Sequence, residues 1–231
     1  YWFFLLLTFA SLAGIVSTSD TASMFGYWEL MTFASYFLVV HDRNAKALSA
    51  GLKYYVMCAG GAIFMLPGLL ALGVFAIEPG IALQFPFWFK AGLFLCLIGF
   101  GVKAGLVPLQ AWLPDAHPAA PSSVSAPLYG IITKTGIFGI VSVIIIGVGS
   151  AEHEIPGLLG LSWFGTWLCL VSAATLIYGE IMALCQTDIK RMLAYSTIGQ
   201  IGEIALVLSL GTWLATTGAL WHVFNHAIMK D

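Results

Sequence analysis

Charge is what this sequence has least of. Only 9% of its 231 residues are Asp, Glu, Lys or Arg, against about 25% in an ordinary soluble chain. A water-soluble globule of this size needs a polar shell, and 9 Lys+Arg with 11 Asp+Glu cannot supply one. The basic residues never cluster and the net charge is −2, which excludes a nucleic-acid-binding surface. The 4 cysteines form no CxxC pair and each sits in an apolar stretch. A disulfide scaffold or a cysteine-ligated metal is therefore not expected, and each cysteine reads as a small buried hydrophobe. Segments of about ten residues that alternate apolar and polar are missing, which argues against a membrane β-barrel. What is present is apolar: 60% of residues, with a mean hydropathy of +0.94. That composition describes an integral membrane protein lying almost wholly within the bilayer. The chain opens at Tyr1 and closes at Asp231 inside apolar runs, so a piece of a longer membrane protein is expected.

A membrane helix takes about 20 mostly apolar residues. By that measure an all-α, polytopic bundle of about eight spans is expected, near 1–16, 22–40, 51–77, 86–113, 119–149, 158–184, 192–210 and 212–231. The connections are short and carry turn residues, as in STSDT, HDRNAK, PDAHP, SAEHEIPG and TDIKR. Arg43, Lys46 and Lys53 flank one loop; Lys190 and Arg191 mark another, four spans later. Both loops should lie on one side, the cytoplasmic side by the positive-inside rule. Asp20, Glu78, Glu152 and Glu154 should lie on the other, with Lys90 as its basic residue.

One span is interrupted. Gly99, Gly101 and Gly105 precede Pro108, and Pro114 follows. Pro108 lacks a backbone donor and disfavours helix at the preceding residue. The spacing predicts a discontinuous helix: one piece to about Ala104, an unwound turn at Gly105–Pro108, and a short piece to about Leu113. Broken helices are tolerated at membrane depth where they line a cavity, and they often mark transport sites. Pro127 and Gly130 predict a milder bend in the next span.

The charges inside the spans carry the functional signal. Each costs about 2.5–3.5 kcal/mol near the bilayer centre on insertion scales. Glu29, Lys103, Lys134 and Glu203 would together cost on the order of 10 kcal/mol facing lipid. They must face one another or water, as a proton pathway or as structural ion pairs. Lys53 and Lys90 can snorkel to the interface, and Glu180 lies close to Lys190 and Arg191. In the last span His222, His226 and Lys230 recur at i, i+4 and i+8, which puts them on one helical stripe. Imidazole titrates near neutral pH and passes protons between neighbours, so the stripe reads as a proton relay; two buried neutral histidines are the bland alternative. Glu29, Lys103, Lys134, His222, His226 and Lys230 are expected to form one polar seam through the bilayer centre, parallel to the membrane. The break at Gly105 and Pro108 should lie beside it. The remaining histidines, His41, His117 and His153, fall in loops.

These motifs resemble those of a known family. GFGVKAGLVPLQAWLPDAHPAAPSSVSAPLYGIITKTGIFGIV resembles the signature of the antiporter-like subunits of respiratory complex I, of Mrp-type Na⁺/H⁺ antiporters and of energy-converting hydrogenases. YWELMTFASYFLV, TDIKRMLAYSTIGQIG and HVFNHAIMK are similar to its other motifs, in the right order. PDAHPAAPSSVSA and HxxNHAxxK look most like the formate-hydrogenlyase or hydrogenase-4 type. The resemblance implies a core of inverted five-helix repeats, with residues 1–149 as the first repeat and 150–231 as the start of the second. It implies that Glu29 and Lys103 form a functional pair, that Lys134 is the central lysine, and that His222, His226 and Lys230 lead to the second half-channel. Glu203 departs from the family pattern, which has an apolar or aromatic residue there.

The expected function is translocation of protons, or exchange of Na⁺ for H⁺, by a subunit embedded in the lipid bilayer of a bacterial or archaeal inner membrane. No cofactor and no metal is expected in the chain itself. Its partners would be other membrane subunits of a respiratory or hydrogenase complex, where electron transfer takes place. A standalone cation/H⁺ antiporter is the nearest alternative. A haem- or quinone-binding redox subunit using His222 and His226 is a second one, of a different class.

Overall fold

The computed structural model of the chain describes residues 1–77, 84–142, 157–158 and 160–230. Among them the architecture is helical throughout, with no β-strand. The helices are α1 (Trp2–Ser17), α2 (Thr21–Val39), α3 (Ala45–Ile77), α4 (Pro86–Ala104), α5 (Leu113–Ala119), α6 (Ser122–Pro127), α7 (Lys134–Gly139), α8 (Trp163–Leu184), α9 (Ile189–Leu208) and α10 (Trp213–Lys230). A π-helical segment, Leu128–Ile132, joins α6 to α7. Four stretches are long and apolar enough to cross a membrane: Ala45–Gly73, Pro86–Ala104, Ser122–Ser142 and Trp163–Leu184. α2, α9 and α10 have 19, 20 and 18 residues, also span length, with more polar residues along them. Glu78, Glu152 and Glu154, and the end of the fifth expected span at Gly149, lie outside the described residues.

Polar caps start the helices where the sequence turns. Asp20 caps α2 through Ser23 N–H at 2.8 Å, Ser162 caps α8 through Gly165 N–H at 3.0 Å, and Asp188 caps α9 through Arg191 N–H at 2.9 Å. Such caps satisfy orphan donors of the first turn. Hydrogen bonds from Ser23 hold the Asp20 carboxyl below its usual range.

Between helices, small residues set the distance. A side chain on Gly179 of α8 would meet Gly199 N of α9 at 2.3 Å, and one on Gly202 would meet Leu176 N at 2.5 Å. On the other half of the bundle, a Cβ at Gly99 of α4 would fall 2.4 Å from Met65 Cβ of α3, and one at Gly136 of α7 would fall 2.4 Å from Phe100 O of α4. Helices in lipid gain from close van der Waals packing rather than from hydrophobic burial. Glycine lets these backbones touch.

The basic loops lie on one face. Lys53 Nζ of α3 pairs with Asp115 of α5 at 2.7 Å, and Arg191 of α9 approaches the same carboxylate at 4.0 Å. Tyr1 joins them there, packing edge-on against His41 and donating to Ser123 Oγ at 2.9 Å. Lys90 lies at the far end of the bundle, 5.6 Å over the Trp163 ring.

The helix break differs from expectation in its second half. α4 does end at Ala104, with Gly105 in the left-handed region at φ 81°. The unwound stretch then runs through 105–112, and the second piece begins at Leu113 rather than ending there. The reason is Pro114. Proline is tolerated in the first turn of a helix, where its missing N–H would be unpaired anyway, so it opens α5 instead of closing a helix. PDAHP is therefore a helical segment and not a loop. Cysteine burial is also uneven: Cys58 and Cys96 are buried, Cys169 is half-buried and Cys185 is exposed.

Candidate functional site: a buried lysine and histidine seam

Lys103, the next-to-last residue of α4, is 1% exposed. Its ammonium donates to Thr32 Oγ1 of α2 at 2.8 Å and to Tyr54 OH of α3 at 3.0 Å, and lies 5.0 Å from the Tyr54 ring centroid. Tyr54 OH is in turn 2.6 Å from Ser35 Oγ. A buried ammonium requires such partners. Thr32 and Ser35 follow Glu29 at i+3 and i+6 on α2, so one helix supplies both the carboxylate and the hydroxyls. Glu29 is half-buried, and one carboxylate oxygen has no hydrogen-bond partner among the described residues. Its charge acts on Lys103, yet the direct contacts of the ammonium go to Thr32 and Tyr54. Those two residues were missed in the sequence. Thr32 could have been found from its position one turn beyond Glu29.

The break beside this pair is anchored from the second half of the bundle. Val107 N–H, freed where the helix unwinds, donates to Thr175 Oγ1 of α8 at 2.9 Å. Trp112 Nε1 returns to Val102 O at 2.7 Å. Gln110 and Ser172 each bury a side-chain oxygen without a hydrogen-bond partner among the described residues. Unsatisfied polar atoms of this kind are where ordered water binds.

Lys134 opens α7 directly after the π-helical segment. It is 6% exposed, and its ammonium donates to Tyr129 O of that segment. A π turn shifts the hydrogen-bond ladder by one residue and recurs at functional sites; here it frees a carbonyl for the lysine. The π segment packs on α10. His226 of α10 is fully buried with both ring nitrogens unpartnered among the described residues, and Lys134 is the charged group that acts on it most strongly.

The other members of the α10 stripe are spread along the helix axis. His222 Nε2 lies 2.9 Å from Gln200 Oε1 and 3.9 Å from Glu203, whereas Lys230 Nζ donates to Ser196 Oγ at 3.2 Å. Glu203 is half-exposed at the outer surface of α9. Among the described residues Glu180 pairs with neither Lys190 nor Arg191; its carboxylate lies over Gly199 and its charge reaches Lys230. Lys53 does not simply snorkel but pairs with Asp115. Of the expected site residues, His222 and Glu203 lie 3.9 Å apart, while Glu29 acts on Lys103 and Lys134 on His226 through their charges.

The chain matches, over residues 18–231, the family described as NADH:quinone oxidoreductase/Mrp antiporter, transmembrane. It belongs to that family. It is 31% identical to hydrogenase-4 component B of Escherichia coli over 99% of its own length and 35% of that protein's. It superposes with a TM-score of 0.84 and 30% identity on a chain of the membrane-bound sulfane sulfur reductase, an archaeal respiratory membrane complex, covering 98% of this chain and 46% of that one. With a chain of the Mrp complex from Dietzia sp. DQ12-45-1b the TM-score is 0.87 at 25% identity, covering 100% and 25%. The chain therefore spans less than half the length of each. Membership in the NADH:quinone oxidoreductase/Mrp antiporter family makes it an integral membrane protein, and these relatives are components of multi-subunit membrane complexes.

Proposed function

We propose that this chain forms the proton-translocating part of an antiporter-like subunit, within a larger complex of a bacterial or archaeal inner membrane. The observation that carries the reading is the burial of two lysines, Lys103 at 1% exposure just before the helix break and Lys134 at 6% at the start of α7. Burial disfavours the charged form of a lysine, and a nearby carboxylate favours it. Movement of Glu29 relative to Lys103 would therefore load or release a proton. In this reading residues 1–149 form one inverted repeat and 150–231 begin a second. A proton held at Lys103 passes to Lys134 and onward through His226, His222 and Lys230, with the Glu203 carboxyl group 3.9 Å from His222. The transported ion is H⁺, either pumped or exchanged for Na⁺, and the driving redox reaction belongs to partner subunits. The family likeness supports the class, and hydrogenase-4 component B points to a hydrogenase-type complex.

The test is proton movement in inverted membrane vesicles carrying the intact complex, read with a ΔpH-sensitive dye, for Lys103→Met. Methionine keeps the stem length without the charge. A fall of at least tenfold with the subunit assembled supports the reading; undiminished acidification overturns it.

A further inference from the structure

Glu180 sits on α8 about 6 Å inside the helix end at Leu184, by the rise of about 1.5 Å per residue. α8 is one of the four stretches long and apolar enough to cross a membrane. Ile177, Ile181 and Leu184, its neighbours on the outer surface, are exposed and apolar. A carboxylate on such a face is expensive unless a cation answers it. The basic loop nearby is engaged elsewhere: Lys190 Nζ donates to Ala120 O at 3.0 Å, and Arg191 approaches Asp115 at 4.0 Å.

The Glu180 side chain turns over α9 instead. A Cβ built on Gly199 would fall 2.4 Å from Glu180 Oε1, 3.0 Å from its Cδ and 3.2 Å from its Cγ. The carboxylate therefore fills the space that a side chain at 199 would take. Lys230 Nζ of α10 donates to Ser196 Oγ at 3.2 Å. Ser196 and Gly199 are three residues apart on α9, and such residues are neighbours on one helix face. Ammonium and carboxylate thus lie over adjacent positions of α9, and the Glu180 charge acts on Lys230. Lys230 is half-buried, and a charge withdrawn from water needs a partner.

We infer that Glu180 is a positioning residue of the relay: its carboxylate, seated over Gly199, is the counter-charge that holds the Lys230 ammonium above Ser196. Glu180 itself passes no proton. A nearby carboxylate favours the ammonium over the amine, so Glu180 keeps Lys230 loaded between transfers. Gly199 provides the seat because it has no side chain to displace the carboxylate. This rests on the proton-translocating reading above.

The test measures proton movement in vesicles holding the intact complex. Glu180→Gln keeps the volume and removes the charge; an assembled complex slowed at least fivefold is expected, and a wild-type rate overturns the inference. Glu180→Ala empties the space over Gly199, so a carboxylate can be returned from α9. Glu180→Ala with Gly199→Glu should move protons at least threefold faster than Glu180→Ala with Gly199→Gln, which restores volume alone. Equal rates in the two assembled double variants overturn the inference in favour of space filling. Should the double variants not assemble, Glu180→Gln decides alone. Lys230→Met separates the two levels. If it moves protons normally, the path through Lys230 fails, whereas a normal Glu180→Gln beside an impaired Lys230→Met removes only the role of Glu180.

Discussion

The Lys103 ammonium donates at 2.8 Å to Thr32 Oγ1, one helical turn beyond Glu29 on α2. This donor bond goes to the hydroxyl and not to the Glu29 carboxylate. Thr32→Val keeps the shape and removes the acceptor. A hydrogen bond to a charged group contributes about 1.5–3 kcal/mol, so thermal unfolding in detergent should fall by that amount, and Thr32→Ser should retain most of it. Unchanged unfolding in Thr32→Val would show that the hydroxyl is not holding the buried charge.

Glu29→Gln removes the charge and keeps the volume. If Glu29 modulates the proton on Lys103, the assembled variant should translocate protons at least tenfold more slowly. A wild-type rate would leave Glu29 a structural residue.

Gly105 ends α4 at φ 81°, and a Cβ there would also stand 2.8 Å from Leu113 Cδ1. Alanine in the left-handed region costs about 1–2 kcal/mol. Gly105→Ala should lower unfolding stability accordingly. Thr175→Val, which strips the acceptor from Val107 N–H, should cost about 1–3 kcal/mol. Calorimetry on the two single variants checks both, and no change in either would mean the break is held by other contacts.

Pairing of both Lys53 and Arg191 with Asp115 puts the two basic loops on one face of the bundle. Single cysteines at Asp42 and Asp188, in a background without the native cysteines, should react with an impermeant thiol reagent from the same side. A cysteine at Asp20 should react from the other. Labelling of Asp20 and Asp42 from one side would contradict the arrangement.

Much of this was legible from the sequence because lipid makes charge expensive. Glu29, Lys103 and Lys134 stand out at once in apolar runs, and Gly105 with Pro108 marks the break correctly at its first end. The second end was not legible: Pro114 serves equally to stop one helix or start another, and only the packing of α5 on α3 and α9 decides. His117 looked like a loop residue for the same reason. Thr32, Tyr54 and Thr175 could not be singled out because hydroxyls are cheap enough in a helix to occur without function, bonding back to the preceding turn as Thr175 also does to Val171 O at 2.7 Å. The α10 histidines were found by their spacing, yet spacing along a helix says nothing of depth, and their partners on α9 lie a turn apart at Ser196 and Gln200.

The central claim is that Lys134 carries the proton between the halves of the bundle. It is tested most directly by proton movement per turnover of the driving reaction, measured in vesicles holding the intact complex with Lys134→Ala. The account predicts an assembled complex whose proton movement falls at least tenfold at every pH examined. An assembled Lys134→Ala complex that moves protons at the wild-type rate would contradict it.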